Sequence, residues 1–295
     1  MIRVGIVGLD TSHPAEFAEY LAEHDDATIE AIWDGGAVRS AEHRDAFGEQ
    51  YGASVHHDPA AMTDVVDAAV VLTVDWDTHR RLAVPFLDAG VPTLIDKPIA
   101  GRLDDIDAIA AAAGDTPVAG GSALPFHPAV SSLPVDRPGR TLYCAGYDDP
   151  FYYGAHLTDI ARHLAGSDWR AVDPARGPGE AVGVEFENGT LAILQLDGPR
   201  DEGTFGVLDV SDRTRTCTVT GDTGYDAMYG RFLDRFIDTV RGRRDDGNRL
   251  LDGARLLLAV TAALDGDTTV TPDSDALRHA SADGAAFLDG YAPYY

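Results

Sequence analysis

The chain has 295 residues and a formal net charge of −26, and 44% of its residues are hydrophobic. The length suggests one large domain or two of medium size, and the apolar fraction excludes a disordered chain. The strong acidity argues against nucleic acid or anionic lipid as a partner, and no apolar run reaches the length of a membrane span. The two distant cysteines, Cys144 and Cys217, form neither a disulfide framework nor a zinc site. We therefore expect a soluble, cytoplasmic protein.

The charged residue types are used unevenly. The acids comprise 39 Asp and 10 Glu, and the bases comprise 22 Arg and a single lysine, Lys97. Acids scattered over the whole chain are typical of halophilic proteins, in which molar salt screens self-repulsion. The alternative is an acidic protein from a GC-rich mesophile. Because the rest of the chain lacks lysine, Lys97 is expected to perform a task for which the permanently charged arginine is unsuited.

The first 120 residues alternate between strand and helix signals. Strands are predicted at 2–7, 28–33, 54–56, 65–74, 93–95 and 118–120, and helices at 15–21, 40–51, 78–89 and 103–113. This rhythm predicts a doubly wound parallel sheet. The segment 65–74 is nearly all apolar, as expected for a central strand that is covered on both faces.

The pattern changes after Gly121. Residues 122–138, rich in Pro and Ser, predict a crossover into a second domain, followed by a helix at 155–165. Strands are predicted at 182–187, 190–196, 207–210 and 214–219, helices at 227–240 and 250–264, and a partly helical tail at 274–295. Asn188-Gly189 predicts a two-residue hairpin turn. The fold class is thus α/β, with a first domain over residues 1–121 and an α+β domain, with a mostly antiparallel open sheet, over 122–295.

The turn after the first strand reads Gly8-Leu9-Asp10-Thr11-Ser12-His13. A dinucleotide-binding fold holds its pyrophosphate here with G-x-G-x-x-G, of which only Gly8 is present. Asp10, Thr11 and Ser12 could simply cap the helix, so that the Asp10 carboxylate occupies the anion site. Alternatively, Asp10 points away and the two hydroxyls help to hold phosphate. Asp34, 26 residues after Gly8, is placed to contact the adenosine ribose and favours NAD over NADP.

Asp96-Lys97-Pro98 ends a predicted strand, where doubly wound sheets place their ligands. With this motif the chain resembles the Gfo/Idh/MocA oxidoreductases, whose fifth strand ends in Glu-Lys-Pro. The resemblance implies a Rossmann-type first domain and an NAD(P)-dependent enzyme acting on sugars or polyols. It also implies that Lys97 contacts the substrate hydroxyl beside the nicotinamide, where an ammonium favours developing alkoxide character. A structural salt bridge between Lys97 and Asp96 is the alternative.

Further segments resemble the same family. Residues 75–79 correspond to its Pro-Asn-x-x-His loop and keep only His79, and residues 126–128 look like the start of its second domain. Residues 152–159 are similar to its Asp-x-Gly-x-His-x-x-Asp element, with Tyr152 in place of the first aspartate. The resemblance makes His156 the general acid/base, and Asp159, about one helical turn on, can orient nearby groups. Tyr152 can donate a hydrogen bond but is a poor base at neutral pH.

The sequence therefore predicts an oxidoreductase that transfers hydride between NAD, less favourably NADP, and a sugar, polyol or related hydroxy compound. The predicted catalytic residues are Lys97, His156, Asp159 and Tyr152. The predicted cofactor residues are Gly8, Asp10, Thr11, Ser12, His13, Asp34, Thr73, His79 and Lys97, and the predicted substrate residues are Trp76, His127 and Tyr153. No metal site is expected from the spacing of the histidines. In the family that the chain resembles, the open face of the second sheet packs against another subunit, so the resemblance implies a homodimer or homotetramer.

Two other functions fit the same sequence. The first is a ligand-binding or regulatory protein on this fold that has lost dinucleotide binding through Asp10. The second is an enzyme that holds NAD tightly for redox-assisted elimination or hydrolysis.

Overall fold

The computed structural model describes residues 1–199, 203–221 and 223–293. The strands of the first sheet are β1 (Ile2–Val7), β2 (Ala27–Trp33), β3 (Ser54–Val55), β4 (Ala68–Val71), β5 (Thr93–Asp96) and β6 (Val118–Gly121). They are all parallel, in the order β3-β2-β1-β4-β5-β6, which is the doubly wound order of dinucleotide-binding domains. The predicted parallel sheet is confirmed.

Four helices accompany this sheet: α1 (His13–Glu23), α2 (Ala41–Tyr51), α3 (His79–Asp88) and α4 (Leu103–Ala113). Strand β4 is fully buried, as predicted for a central strand, and each of its valines contributes roughly 1.5–3 kcal/mol of burial energy. It is shorter than the predicted 65–74, because the amides of Val65 and Val66 close a 3₁₀ turn on the Met62 carbonyl. Residues 72–74 have already left the sheet and carry the chain towards the site.

The second sheet has six strands in the order β12-β11-β7-β10-β9-β8. They are β7 (Thr141–Tyr147), β8 (Trp169–Pro174), β9 (Ala181–Phe186), β10 (Leu191–Gly198), β11 (Thr204–Val210) and β12 (Thr214–Thr220). The sheet is mostly antiparallel, as predicted, but β10 and β7 pair in parallel. Strands β7 and β8 were not predicted.

The hairpin between β9 and β10 has a longer loop than the predicted two residues. The Phe186 amide donates to the Thr190 carbonyl, so three residues, 187–189, form the loop. Gly189 has a φ of +80°, which is the left-handed conformation that ends a three-residue hairpin loop. The two-residue turn was wrong because Asn-Gly suits both loop lengths.

The helices of the second half are α5 (Pro128–Ser131), α6 (Gly154–Ala165), α7 (Tyr225–Val240), α8 (Gly247–Gly266), α9 (Asp275–His279) and α10 (Gly284–Gly290). Helix α6 has ten buried residues and packs between the second sheet and α8. Among the residues described, no helix is long and apolar enough to cross a membrane. The division of the chain at 121/122 stays a prediction.

The last part of the chain returns to the first domain. Arg102 and Ser281 form an isolated antiparallel bridge, and the Trp76 indole donates to the Ala282 carbonyl. The Gly284 amide donates to the Asp77 carboxylate. The predicted tail is therefore a packed element, with its final two residues, 294 and 295, outside the described range.

Candidate active site

A cavity of about 420 Å³ lies between the turn that precedes α1 and the N-terminal parts of α6 and α7. Its lining consists of Thr11, Ser12, His13, Glu16, Lys97, Ala123, Leu124, Tyr147, Tyr152, Tyr153, His156, Phe205, Tyr225, Met228, Tyr229 and Tyr291. The structure thus brings together seven of the residues that the sequence singled out, from three separate segments of the chain.

Lys97 follows directly on β5 and is only 5% exposed. Its Nζ lies 3.3 Å from the ring centroid of Tyr152 and 5.5 Å from that of Tyr153. Burial lowers the pKa of Lys97 to about 8, against the opposing effect of the carboxylates of Asp96 and Asp149. Within the described ranges no carboxylate forms an ion pair with Nζ, so the alternative of a Lys97–Asp96 salt bridge does not hold. The ammonium is therefore held by aromatic faces, beside space for a ligand.

The two adjacent tyrosines form the wall around this lysine. Tyr152 stacks on Phe287 of α10, with the ring centroids 4.5 Å apart, and meets Tyr153 edge to face at 5.1 Å. Tyr153 in turn packs on Tyr147 at 4.7 Å. Tyr152, which replaces the aspartate of the family pattern, presents its ring face to Lys97. A cation–π contact thus stands where the resemblance implied a carboxylate.

His156 reaches the cavity from the first turn of α6. Its Nδ1 lies 2.6 Å from the Ser122 hydroxyl, and its ring meets Phe205 at 5.1 Å. Burial, followed by the charges of Lys97 and His13, holds the pKa of His156 well below its usual value. The ring is therefore neutral at physiological pH.

His13 is the first residue of α1 and was predicted as part of a phosphate-binding turn. Its ring lies instead in the cavity, where Nδ1 is 2.6 Å from the Asp96 carboxylate. The ring stacks on Phe17 with centroids 5.5 Å apart and meets Tyr229 edge-on. The ring of His13 is oriented towards β5 by its carboxylate partner and faces the same cavity as Lys97, and its contact with a cofactor stays a prediction.

Asp10 points away from the helix N-terminus. Its carboxylate accepts a 2.9 Å hydrogen bond from the Val74 amide, which follows β4, and the residue is 2% exposed. Burial raises the pKa of Asp10 to about 6, and the nearby Asp34 charge adds to the rise. The interpretation in which Asp10 occupies the anion site is therefore wrong, and the predicted loss of dinucleotide binding through this residue loses its structural basis.

The N-terminus of α1 is open to an anion. Ser12 makes no side-chain capping bond, and the Thr11 hydroxyl accepts only a long, 3.3 Å bond from the His13 amide. In the described part of the chain the amides of Thr11 and Ser12 donate to no acceptor. Unpaired amides at a helix N-terminus are the groups that bind a pyrophosphate. The residues present here therefore fit a dinucleotide.

Gly8, Thr73 and Asp34 shape the rest of this groove. Gly8 has a φ of +96°, and a Cβ there would lie 2.7 Å from the Thr73 Cγ2, so only glycine fits the close approach. The Asp34 carboxylate accepts 2.9 Å bonds from the amides of Leu9 and Gly36. Each oxygen keeps a second lone pair for a ribose hydroxyl. The cofactor roles of these residues stay predictions.

His79 cannot touch a cofactor in this structure. Its ring is 0% exposed, and its two nitrogens lie 3.1 Å from the Ile99 carbonyl and 2.8 Å from the Thr73 carbonyl. It links the loop after β4 to the loop after β5. The prediction of His79 as a cofactor residue is corrected to a structural role.

His127 and Trp76, predicted to line the substrate pocket, lie outside the cavity of Lys97. His127 accepts from the Ala129 amide through Nδ1, and its Nε2 is 2.9 Å from the Thr223 carbonyl, so both ring nitrogens bind backbone. Trp76 packs on Phe151 and Phe287 and lines a second cavity of about 520 Å³ under α10. Neither residue lines the cavity of Lys97, and their contact with a substrate stays a prediction.

Asp159 also lies outside the cavity. Its carboxylate accepts a 2.5 Å bond from the Ser122 amide, and burial raises its pKa against the charges of Arg249 and Arg162. The structure does not bring this residue to the reacting groups. By holding Ser122 it orients the hydroxyl that meets His156, which agrees with the predicted orienting role of Asp159, and its part in catalysis stays a prediction.

Sequence reasoning missed Ser122, Phe205, Tyr225 and Tyr229. The two tyrosines are four residues apart on α7 and therefore share one helix face, which is a signal that was available. Nothing local marks Ser122 or Phe205, since their positions follow from the tertiary fold. Among the residues with described positions, no group of three or more His, Cys, Asp or Glu is arranged to hold a metal ion.

Comparison with known proteins agrees with this geometry. Residues 2–119 match the model of the Gfo/Idh/MocA family, described as an oxidoreductase family with an NAD-binding Rossmann fold. Inositol 2-dehydrogenase 2 of Saccharopolyspora erythraea is 32% identical over 101 residues, which is 34% of this chain and 29% of that relative. Over residues 2–119 the match agrees with the family resemblance inferred from Asp96-Lys97-Pro98 and indicates an NAD-binding Rossmann fold in that segment.

Solved structures share the fold over nearly the whole chain. A probable dehydrogenase from Thermotoga maritima has a TM-score of 0.76 and 17% identity, covering 92% of this chain and 99% of its own. The myo-inositol dehydrogenase from Lactobacillus casei, in complex with NAD(H) and myo-inositol, has a TM-score of 0.76 and 12% identity, covering 93% and 97%. At these identities the likeness establishes the shared fold and nothing further.

Proposed function

We propose that the chain, whose residues 2–119 match the Gfo/Idh/MocA oxidoreductase family with its NAD-binding Rossmann fold, is an NAD-dependent dehydrogenase or reductase of a polyol or sugar hydroxyl. One observation carries the proposal. The single lysine of the chain is buried at the end of β5, in one cavity with His156 and next to the open N-terminus of α1. A reacting hydroxyl and the cofactor can therefore meet at Lys97.

The cofactor would be held by the first turn. The free amides of Thr11 and Ser12 suit its pyrophosphate, and the Asp34 carboxylate suits the adenosine ribose, which favours NAD over NADP. When bound, oxidised nicotinamide supplies the acceptor for two electrons and one hydrogen. The chain's own residues bind and orient the substrate, and Lys97 places positive charge beside the hydroxyl oxygen.

The lining of the cavity supports a polyhydroxylated ring as substrate. The tyrosines offer flat faces for the apolar sides of such a ring, while Lys97 and His156 offer polar contacts to its hydroxyls. The relative from Saccharopolyspora erythraea is named for inositol, and the Lactobacillus casei structure contains myo-inositol. We infer that a cyclic polyol is the first substrate to test. Contact of Tyr152 and Tyr153 with the substrate is part of this proposal.

Assembly through the open face of the second sheet is also proposed. Tyr143 is 47% exposed and lines a shallow apolar groove together with Ile193, Leu208 and Cys217. Apolar side chains of this size on one face suit a homodimer or homotetramer. A cytoplasmic location and a halophilic source stay predictions.

The test is titration of the purified protein with NADH and NADPH in about 2–3 M KCl, followed by nicotinamide fluorescence and by heat. We expect saturable binding with a preference for NADH, and reduction of NAD⁺ when inositols and related polyols are added. A folded protein that binds neither nucleotide would overturn the proposal. If the protein binds NADH but turns over no polyol, only the cofactor part of the proposal stands, and other hydroxy compounds should be tested as substrates.

A further inference from the structure

The residue at the third glycine position of the dinucleotide turn carries a side chain that reaches the reaction cavity. His13 stands where G-x-G-x-x-G has its last glycine, and its side chain is 16% exposed. The ring is fixed between Phe17 and Tyr229 and lines the same cavity as Lys97 and His156. A glycine here could only permit packing, whereas an imidazole can take part in proton transfer.

Asp96 fixes this ring. One of its carboxylate oxygens lies 2.6 Å from the His13 Nδ1, and the other accepts a 2.8 Å bond from the Lys97 amide. Burial opposes ionisation of Asp96, but the His13 and Lys97 charges outweigh it and hold the pKa of this carboxyl below its usual value. An ionised carboxylate beside Nδ1 favours the proton there, so in the neutral form of the ring Nε2 is the nitrogen with a free lone pair.

His156 lacks these features. Its Nδ1 meets the neutral hydroxyl of Ser122, and among the described residues no carboxylate contacts its ring. Lys97 and His13 both disfavour a positive charge on it. A neutral ring that resists protonation can hold a substrate hydroxyl by a hydrogen bond, but it is poorly suited to keep a proton.

We propose that His13, oriented by Asp96, is the general base that takes the proton of the substrate hydroxyl, and that His156 is a hydrogen-bonding contact to the same substrate. The inference rests on the proposed dehydrogenase function. In the oxidation direction the O–H bond breaks and its proton goes to the His13 Nε2. The adjacent C–H bond breaks with its electron pair leaving to oxidised nicotinamide, and a C=O bond forms. The positive charge that develops on the ring faces the Asp96 carboxylate, which acts as a positioning residue.

Kinetics with NAD⁺ and the polyol found above test the assignment. His13→Gln is expected to lower kcat by roughly 10²–10⁴-fold and to abolish the acidic limb of the kcat/KM profile. Asp96→Asn preserves the shape of the side chain and is also expected to lower kcat. This variant tests the role of His13 if His13→Gln folds poorly. His156→Gln is expected to raise KM more than it lowers kcat and to leave the acidic limb of the kcat/KM profile in place. The matched control is His24→Gln at the other end of α1, whose histidine also has an aspartate neighbour but lies outside the cavity.

The profile is interpretable because the ionisable groups around His13 are known. They are Asp96 at the end of β5, Lys97 directly after it, Glu16 on α1, His156 on α6, and the cavity tyrosines Tyr147, Tyr152, Tyr153, Tyr225, Tyr229 and Tyr291. A limb that survives His13→Gln and disappears in His156→Gln would overturn the assignment and return the role of base to His156.

A second readout is independent of turnover. In protein labelled with ¹⁵N-histidine, the ring signals that vanish in His13→Gln are expected to show a protonated Nδ1 and an unprotonated Nε2, and Asp96→Asn is expected to disturb this tautomer. The opposite tautomer refutes the base role. NADH affinity, measured on the same samples, separates the two proposals. If the wild type binds no nucleotide, the proposed dehydrogenase function fails. If it binds NADH but His13 carries its proton on Nε2, only the proposed role of His13 fails.

Discussion

Replacing Asp10 by asparagine should stabilise the protein at neutral pH. The Asp10 carboxylate is buried, and its pKa of about 6 compares with an ordinary value of 3.8. An asparagine oxygen could still accept the bond from the Val74 amide, while the buried charge is removed. The difference in pKa corresponds to a gain in the free energy of unfolding of about 3 kcal/mol for Asp10→Asn at pH 7.5.

The gain should also depend on pH in a defined direction. Because the pKa of Asp10 is raised in the folded state, the ionised carboxylate opposes folding fully above about pH 6, and this cost disappears as the pH falls through 3.8. At pH 5 about half of the gain, roughly 1.6 kcal/mol, should remain. An aspartate with a lowered pKa would show the opposite trend.

Urea unfolding at fixed KCl, followed by tryptophan fluorescence, measures both values. Asp25→Asn is the matched control, since it removes the same charge from an exposed position that adjoins β2. If Asp10→Asn and Asp25→Asn change the unfolding free energy equally at pH 7.5 and pH 5, the buried charge is compensated within the fold and the reasoning is refuted. A loss of stability in Asp10→Asn alone would show that the carboxylate itself stabilises the turn.

Three further predictions concern the site and the charge of the chain. Lys97→Met should lower kcat by roughly 10²–10⁴-fold. Lys97→Arg should remove the titration near pH 8 from the rate profile, because a guanidinium keeps its proton. If the arginine variant retains that titration, it belongs to another group. Gly8→Ala should weaken NADH binding at least about tenfold and lower Tm, because the added Cβ would collide with Thr73. If calorimetry gives the variant the same NADH affinity as the wild type, the backbone of the turn can shift to accommodate the Cβ. Raising KCl from about 0.1 to 2 M should raise Tm, because the net charge of −26 is screened, and a Tm independent of salt would contradict the halophilic interpretation.

The sequence was most informative where structure is local. Apart from the two-residue β3, the strands of the first sheet are short and mainly apolar runs, so their places could be predicted from neighbouring residues alone. Lys97 could be recognised because it is the single lysine and precedes a proline at the end of a strand. Strand β7 was missed because its two faces are both largely apolar: Leu142 and Cys144 face the core, whereas Tyr143 lies on the open face. It therefore lacks the alternation that marks a half-buried strand.

The orientation of the site residues depends on distant partners. Asp10 meets Val74, 64 positions away, and His13 meets Asp96, 83 positions away. No spacing rule links such pairs, so the sequence left open whether Asp10 blocks the anion site, and it gave no sign that the His13 ring meets a carboxylate at the end of β5. The ring nitrogens of His79 and His127 were assigned to ligands for the same reason, although backbone carbonyls and amides occupy them.

The contacts of Trp76 with Ala282 and of Asp77 with Gly284 join segments 206 and 207 positions apart. During synthesis on the ribosome, the aromatic wall behind Lys97 cannot form until Phe287 has emerged, long after the first sheet is complete. The nascent first domain therefore passes through a period with an unfinished pocket, and contacts of such separation slow the final step of folding. A purification tag is accordingly better placed before Met1, which is 82% exposed, than behind α10.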